Sequence, residues 1–302
     1  MRKPRVVLSI GRIIMFRDEL ARAGRRHRKW VLLAALASFL AAMFFSLASL
    51  DLRWTDLSLP WLMLSLLVSL PAVILNANEL QLLARAGGRR LTLLSAVEVT
   101  SLGTLANALP VPGALILRAK ALSGAGVSAG RASIVLFAGS TLWIGVSAGV
   151  ITLLFDDRPA AAPLAVFAMA LTAGSLVFLR RGSGTSGALG AVAVRLAMTL
   201  LAGARTWLCM AMLGFEADFL LALGYSACNV LGAVVGVVPG GLGVAEGAGA
   251  LLALLLRQQP TVAVLALGAS RVVGLLAAGL AFGAAQAVKR RLSTEVTDES
   301  LV

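Results

Sequence analysis

The sequence predicts an all-α polytopic membrane protein, and three observations carry this prediction. Hydrophobic residues make up 59% of the 302 residues and charged residues only 14%, which gives a mean hydropathy of +0.91. Apolar runs of about 20 residues recur along the chain, the length that a helix needs to cross a hydrocarbon core of about 30 Å. The strand-length alternation of apolar and polar residues that is typical of a membrane β-barrel does not accompany them.

The net charge of +13 is concentrated at the ends of the apolar runs. Lys and Arg in these places are topology signals, and they do not indicate nucleic acid binding. Positive ends of this kind also contact anionic lipid headgroups. The basic segment 1–29 is therefore predicted to be cytoplasmic, as is the polar tail 289–302, which we expect to be disordered. The two cysteines stand in apolar segments without metal-binding spacing, so neither a disulfide framework nor a metal site is indicated.

The charges that flank the apolar runs predict about six full transmembrane helices. These spans are 30–50, 57–83, 132–155, 161–179, 188–213 and 261–288. The membrane domain then covers 30–288, with both termini on the cytoplasmic side of what we expect to be a bacterial inner membrane. The Gly/Ser-rich stretch RRGSGTSG, which precedes the fifth span, is predicted to be a flexible cytoplasmic linker between two halves of the chain.

Two further apolar segments contain a break in place of a continuous span. The segment 91–122 begins and ends among cytoplasmic-type charges, whereas 219–256 must leave and return on the external side. We interpret each as a re-entrant helical hairpin, because proline ends a helix and glycine permits a tight turn. The predicted tips contain Pro110, Pro112 and Gly113 in the first hairpin and Pro239, Gly240, Gly241 and Gly243 in the second. The alternatives are two crossings, or one irregular crossing, by each segment.

The two halves then form span–hairpin–span repeats of opposite orientation, 57–155 and 188–288. Inverted repeats with broken helices are an architecture of transporters, in which the substrate site lies near the bilayer midplane. Irregular backbone at that depth is tolerated only where it is buried in protein or lines a water-filled cavity. The hairpin tips are therefore expected to border a protein core or a polar path.

The motif PGGLGVAE (239–246), followed by Ala269-Ser270-Arg271 in the last span, resembles the lysylphosphatidylglycerol synthase transmembrane-region family of flippase-like domains. In the first repeat, LPVPGALILRAKAL keeps Pro110 and Arg118 of that family's pattern, with Ala114 in the glycine position and Leu115 in place of the glutamate. The resemblance implies a lipid-translocating function. It also implies that the synthase activity is absent, because no soluble aminoacyl-transferase domain follows.

Glu246 and Arg271 lead the candidates for a substrate path, because an ionisable group at the bilayer centre costs about 2.5–3.5 kcal/mol and is a functional hypothesis by default. The alternative is a structural ion pair that fixes the hairpin to the last helix. Arg118 offers a planar fork for a phosphate, or else extends to the headgroups. Other polar residues in apolar segments are more commonly explained by interhelical hydrogen bonds. They are Glu79, Glu98, Asn107, Asn229, Arg195 and Arg205.

The sequence contains no nucleotide-binding loop, zinc-ligand spacing or Ser/His/Asp set, so we predict neither an enzyme nor a cofactor nor a metal. The favoured function is a lipid flippase or lipid-linked carrier for an anionic or phosphate-bearing membrane lipid. The alternative is an accessory subunit of a complex that synthesises a glycolipid or cell-envelope component, which requires a partner protein. A membrane-embedded transferase is the third possibility, although the loops are short for binding a soluble co-substrate.

Overall fold

The computed structural model describes residues 44, 45, 48, 50, 57–107, 113–155, 159, 161–216, 218–235, 241 and 243–299. The predicted segment 1–29 and nearly all of the predicted span 30–50 lie outside the described residues. So do four of the predicted tip residues, Pro110, Pro112, Pro239 and Gly240.

The described residues form helices and no strands. The helices in this part of the chain are α1 (Leu59–Ala86), α2 (Leu93–Ala106), α3 (Gly113–Gly124), α4 (Ala129–Leu153), α5 (Ala161–Met212), α6 (Phe219–Ala227), α7 (Asn229–Val235), α8 (Val244–Leu255) and α9 (Pro260–Glu299). Four of these described helices, α1, α4, α5 and α9, are long and apolar enough to cross a membrane. The all-helical prediction is confirmed, and these four helices are compatible with a membrane protein.

Helix α5 extends over both predicted spans 161–179 and 188–213. Its 52 residues would measure about 78 Å as a straight helix, more than twice the thickness of a hydrocarbon core. Gly184 divides it with φ 76° and ψ 176°, a backbone conformation that is essentially restricted to glycine. The prediction of a flexible linker at RRGSGTSG is therefore wrong. A single glycine supplies the change of direction, so helix continues on both sides without a loop.

Helix α9 also exceeds its predicted span. It runs from Pro260 to Glu299, so the tail that we expected to be disordered is helical as far as Glu299. The polar composition of this tail would not start a helix on its own. Extension of an existing helix, however, avoids the unfavourable nucleation step, because each added residue gains one hydrogen bond.

Helices α1 and α5 are antiparallel, and their contacts define the two ends of the bundle. At one end, the Ser58 backbone N–H donates to the Met212 carbonyl at 3.2 Å; this is the Met212 end. At the other, Gly182 lies so close to α1 that a Cβ atom placed on it would be 2.5 Å from the Ala86 carbonyl oxygen. This second end is called the arginine end, because Arg85, Arg89, Arg90, Arg180 and Arg181 are among the residues that lie there.

Helices α2 and α3 are the legs of the first hairpin. They are antiparallel, since Gly103 lies against Ala114 while Gly113 lies against Ala106. The hairpin opens toward the arginine end, where Gln81 of α1 donates a hydrogen bond of 2.9 Å to the carbonyl of Leu91, just before α2. The two antiparallel legs are observed, whereas the predicted turn at 108–112 lies outside the described residues.

The second hairpin enters the bundle from the Met212 end. Its incoming leg consists of α6 and α7, and its outgoing leg is α8. Gly224 of α6 packs against Leu154 at the end of α4. Near the tip, Gly241 has φ 66°, and a Cβ atom placed on it would lie 2.4 Å from the Cα of Gly232. The two legs therefore meet through backbone atoms, an approach that requires glycine at 241 and leaves little room for a side chain at 232.

Candidate functional site

Glu246 and Arg271, the leading candidates from the sequence, are in contact. The Arg271 Nη2 lies 3.0 Å from the Glu246 Oε1, and Glu246 is only 3% exposed. The other carboxylate oxygen, Oε2, accepts a hydrogen bond of 2.8 Å from the backbone N–H of Gly243 at the start of α8. Glu246 thus accepts from a backbone N–H that has no partner within α8, and it also pairs with an arginine of α9.

Arg271 joins α9 to the tip of the second hairpin as well as to α8. Its Nη2 donates to the carbonyl of Gly241 at 3.5 Å. The close Gly232–Gly241 contact positions this carbonyl, so the turn chemistry of the motif PGGLGVAE determines where Arg271 finds its acceptor. The glycines and the glutamate of the motif therefore act together, because both provide acceptors for Arg271.

A second arginine, Arg205 of α5, contacts α9 at the residue that precedes Arg271. Its Nε donates a hydrogen bond of 2.8 Å to the Oγ of Ser270, the residue before Arg271. Its guanidinium occupies the space above Gly274, where a Cβ atom would lie 2.8 Å from Nη1. Among the described residues, no carboxylate lies within ion-pair distance of Arg205. Glu246, Arg271 and Arg205 are called the Glu246 cluster below.

A corresponding group, the Glu79 cluster, consists of Glu79, Arg195 and Arg118. Glu79 of α1 is 2% exposed and forms a buried ion pair with Arg195 of α5. Arg118 of α3 approaches from the first hairpin, with its Nη1 3.6 Å from the Glu79 Oε2. Arg118 also donates a hydrogen bond to Asn76, one turn before Glu79. It therefore points into the bundle, and the alternative in which it extends to the headgroups does not describe this structure.

The Glu79 cluster contains buried polar atoms without a hydrogen-bond partner among the described residues, the Oε2 of Glu79 included. The Arg195 guanidinium carbon lies 5.3 Å from the centre of the Trp143 ring, a cation–π contact that partly replaces lost hydration. The buried Nε atoms of Arg195 and Arg118 have no hydrogen-bond partner among the described residues. One glutamate thus serves two arginines, and two donors remain unsatisfied.

Both clusters share one composition, in which two arginines accompany one glutamate. Each cluster includes one residue from a hairpin: Arg118 on α3 and Glu246 on α8. Helix α5 contributes to both, with Arg195 and Arg205 separated by about 15 Å along the helix. Because a buried arginine without its own counter-ion is costly in an apolar environment, this repeated excess of positive charge suits an anion better than a metal ion.

Leu115, which occupies the glutamate position of the family pattern, does not face the Glu79 cluster. It is 51% exposed. The carboxylate that Arg118 contacts comes instead from Glu79 on the preceding helix. Arg118 therefore has a carboxylate contact although position 115 of its own hairpin leg is a leucine.

Three other polar candidates have structural partners. Asn107 accepts a hydrogen bond of 3.0 Å from the backbone N–H of Ala114, which joins the two legs of the first hairpin. Glu98 accepts one of 2.8 Å from Gln286 on α9. The expected interhelical bonds are confirmed for these two residues. For Asn229 the bond among the described residues is local: its amide donates to the carbonyl of Ser226, one turn earlier in the same leg, at 2.9 Å.

The pairing of Glu79 with Arg195 is the main feature that the sequence interpretation missed. The sequence nevertheless contained a signal for this pairing. Glu79 precedes the arginines at the end of its span by about two turns, and Arg195 follows the start of its predicted span by about two turns. Two oppositely charged residues at the same depth in antiparallel neighbours are expected to pair, because each is costly alone.

Comparison of the chain with known protein families, curated proteins and solved structures found no match.

Proposed function

We propose that the protein is a lipid flippase or lipid-linked carrier that moves an anionic or phosphate-bearing lipid between the leaflets of a bacterial inner membrane. The observation that carries the proposal is the pair of clusters. Two arginines accompany one glutamate in each, and the clusters lie at different depths of a bundle with membrane-compatible helices. An anionic headgroup supplies the negative charge that both clusters lack.

The lengths of the hairpin legs support the re-entrant interpretation. Helix α2 has 14 residues and α3 and α8 have 12 each, about 21 Å and 18 Å, which is short of the roughly 30 Å hydrocarbon core. In the proposed topology the hairpins enter from opposite leaflets, within inverted repeats at 57–155 and 188–288. The span 30–50 and the two parts of α5 complete six crossings.

The proposed mechanism rests on replacing the hydration of a headgroup. A charged headgroup cannot enter hydrocarbon at a useful rate, because loss of its hydration costs many times the thermal energy. Arginine forks donate paired hydrogen bonds to phosphate oxygens and so replace that hydration at each depth. The acyl chains remain in lipid while the headgroup passes from one cluster to the other, about 15 Å along α5.

The glutamates have a defined part in this mechanism. When the path is empty, Glu79 and Glu246 neutralise one arginine each. A phosphate that arrives competes with the carboxylate for the same guanidinium, so binding stays weak enough for release. The resemblance of PGGLGVAE to the flippase-like family supports the assignment of this role to the second hairpin.

The test is a lipid-transfer assay with purified protein in liposomes that contain a fluorescent phosphatidylglycerol. Wild-type protein should speed exchange between leaflets above the rate of empty liposomes. Arg205→Gln should slow that exchange by about tenfold, because one charged hydrogen bond to phosphate is worth about 1.5–3 kcal/mol. Arg205 is chosen because its removal leaves no carboxylate without its partner.

The matched control is Arg180→Gln, which removes the same charge from an exposed position at the arginine end. Its transfer rate should equal that of the wild type. If transfer by wild-type protein matches that of empty liposomes for phosphatidylglycerol, phosphatidic acid and a polyprenyl phosphate, the flippase proposal fails. The accessory-subunit function then becomes the better one.

A further inference from the structure

A cavity of about 550 Å³ opens at the arginine end, apart from both clusters. It lies where the turn after α1 meets the break in α5. Its lining consists of Arg85, Gly88, Arg89, Arg90, Gly182 and Ser183. The close contact of Gly182 with the Ala86 backbone brings the two segments together, so a side chain at position 182 would push them apart.

The charge that lines this cavity is not neutralised by the protein. Arg85, Arg89 and Arg90 are all exposed, and in the described part of the chain none of them forms an ion pair with a carboxylate. A fourth arginine, Arg131 of α4, contacts the same turn, because its Nη2 donates to the Ala86 carbonyl at 3.1 Å. The cavity is thus a concave surface of concentrated positive charge.

A smaller cavity of about 170 Å³ lies next to the first along α1 and shares Arg85 with it. Its lining is Asn78, Gln81, Leu82 and Arg85. Residues at these spacings fall on one helix face. This face leads from the arginine end toward the depth of Glu79, so a ligand with a charged group on the arginines has room to extend along α1.

We propose that this arginine pocket binds the phosphate group of a phosphorylated ligand. A phosphate monoester carries about −1.5 to −2 charges at neutral pH, which three arginines can balance, and guanidinium forks match its oxygens in pairs. A phospholipid headgroup and a soluble phosphate share this chemistry. The positive-inside rule places the pocket on the cytoplasmic side, where either source is available. Binding here does not depend on lipid transfer through the clusters.

The experiment measures the thermal unfolding midpoint of the full chain in detergent with two probes. The first is sodium phosphate compared with sodium chloride at equal ionic strength. The second is micelles that contain dioleoyl phosphatidic acid compared with dioleoyl phosphatidylcholine. A ligand that binds only the folded state stabilises it by RT ln(1 + [L]/Kd), so the rise of the midpoint with ligand concentration yields an apparent affinity. Stabilisation by both probes indicates that the phosphate alone suffices, and stabilisation by phosphatidic acid alone indicates a lipid headgroup.

The variant with Arg85→Gln and Arg90→Gln should weaken the apparent affinity by about tenfold or more. The matched control carries Arg180→Gln and Arg181→Gln, which remove the same charge from the same end outside the cavity; its affinity should stay within about twofold of the wild type. Equal losses in the two variants would overturn the proposal, because the general field of the surface would then explain binding. So would a wild-type protein that neither probe stabilises.

A further variant covers the case in which the glutamine substitutions prevent folding. Arg85→Lys with Arg90→Lys keeps the charge but removes the planar forks, so it should still weaken phosphate binding. An unchanged affinity in this variant would contradict recognition by the arginine forks.

Discussion

Arg195 on α5 and Glu79 on α1 form an ion pair that the surrounding helices bury almost completely. The same carboxylate faces Arg118 on the first hairpin. Glu79 is therefore the one negative charge between two positive ones, and the three residues join two long helices and a hairpin leg at a single point.

This arrangement predicts an unequal response to three substitutions. Glu79→Gln leaves two buried arginines without a counter-ion and should lower stability most, by about 3–5 kcal/mol. Arg195→Gln should cost less, because Arg118 still neutralises the carboxylate. Arg118→Gln should cost least, since its side chain, 21% exposed, is the least buried of the three. Thermal or denaturant unfolding in one detergent gives the order. A loss for Arg118→Gln as large as that for Glu79→Gln would contradict the shared-carboxylate arrangement.

The Glu246–Arg271 pair can be tested by a double-mutant cycle. Glu246→Gln and Arg271→Gln should each lower the unfolding midpoint, because each leaves the other partner charged and buried. The double variant should recover part of the loss. Strictly additive losses would mean that the contact of 3.0 Å contributes no coupling energy.

Gly274 offers a way to move Arg205 without removing it. In Gly274→Ala the new methyl group meets the Arg205 guanidinium, which must shift because the present space leaves only 2.8 Å. The neighbour is the end of a flexible side chain, so stability should change by less than about 1 kcal/mol. Lipid transfer should slow.

The control for this variant is Gly279→Ala on the same helix, where nothing lies within 4 Å of the new atom. Both variants exchange glycine for alanine within α9, so they share any gain in helix propensity. If the transfer rate falls equally in the two variants, Arg205 does not contribute to the proposed lipid path.

The tip of the second hairpin should tolerate no side chain at Gly241. Its positive φ and the 2.4 Å approach to Gly232 oppose a Cβ atom together. Gly241→Ala should therefore greatly reduce the folded yield, as measured by size-exclusion chromatography. Gly247→Ala, where nothing lies within 4 Å, should match or exceed the wild type. Normal yield from Gly241→Ala would show that the legs do not meet here through their backbones.

If the two hairpins enter from opposite leaflets, residues at their outer ends should be accessible from opposite sides of the membrane. Ser123 lies at the end of the second leg of the first hairpin, Gln258 follows the second hairpin, and both side chains are exposed. In a background without Cys209 and Cys228, which are both buried, a cysteine at Ser123 should react with an impermeant reagent only from the cytoplasm. A cysteine at Gln258 should react only from outside. Reaction of both from one face would rule out the inverted topology.

The sequence predicted the second hairpin's site better than the first's, and the reason is local. Pro, Gly and Glu stand together in PGGLGVAE, so the turn and the carboxylate that pairs with Arg271 are encoded within a few residues. In the first repeat, Leu115 occupies the expected glutamate position. The carboxylate that replaces it, Glu79, comes from a different helix, and only three-dimensional packing brings it to Arg118.

The two errors in the fold concern how far helices continue. Gly and Ser residues between Arg180 and Ala188 are typical of a linker, yet packing of Gly182 on Ala86 stabilises helix up to the break at Gly184. The polar tail after Arg291 carries no periodic apolar pattern, and its helix follows from the one before it. Composition describes what a segment tolerates, whereas neighbours decide which conformation it adopts.

The contact of Glu98 with Gln286 and Lys289 has a mechanical consequence. It fastens the first hairpin to the closing helix α9, while α1 packs along α5. Each half of the chain therefore packs against helices of the other half. We expect a displacement of one hairpin to be transmitted to the opposite half, so that in the proposed lipid transfer the two hairpins would move in turn.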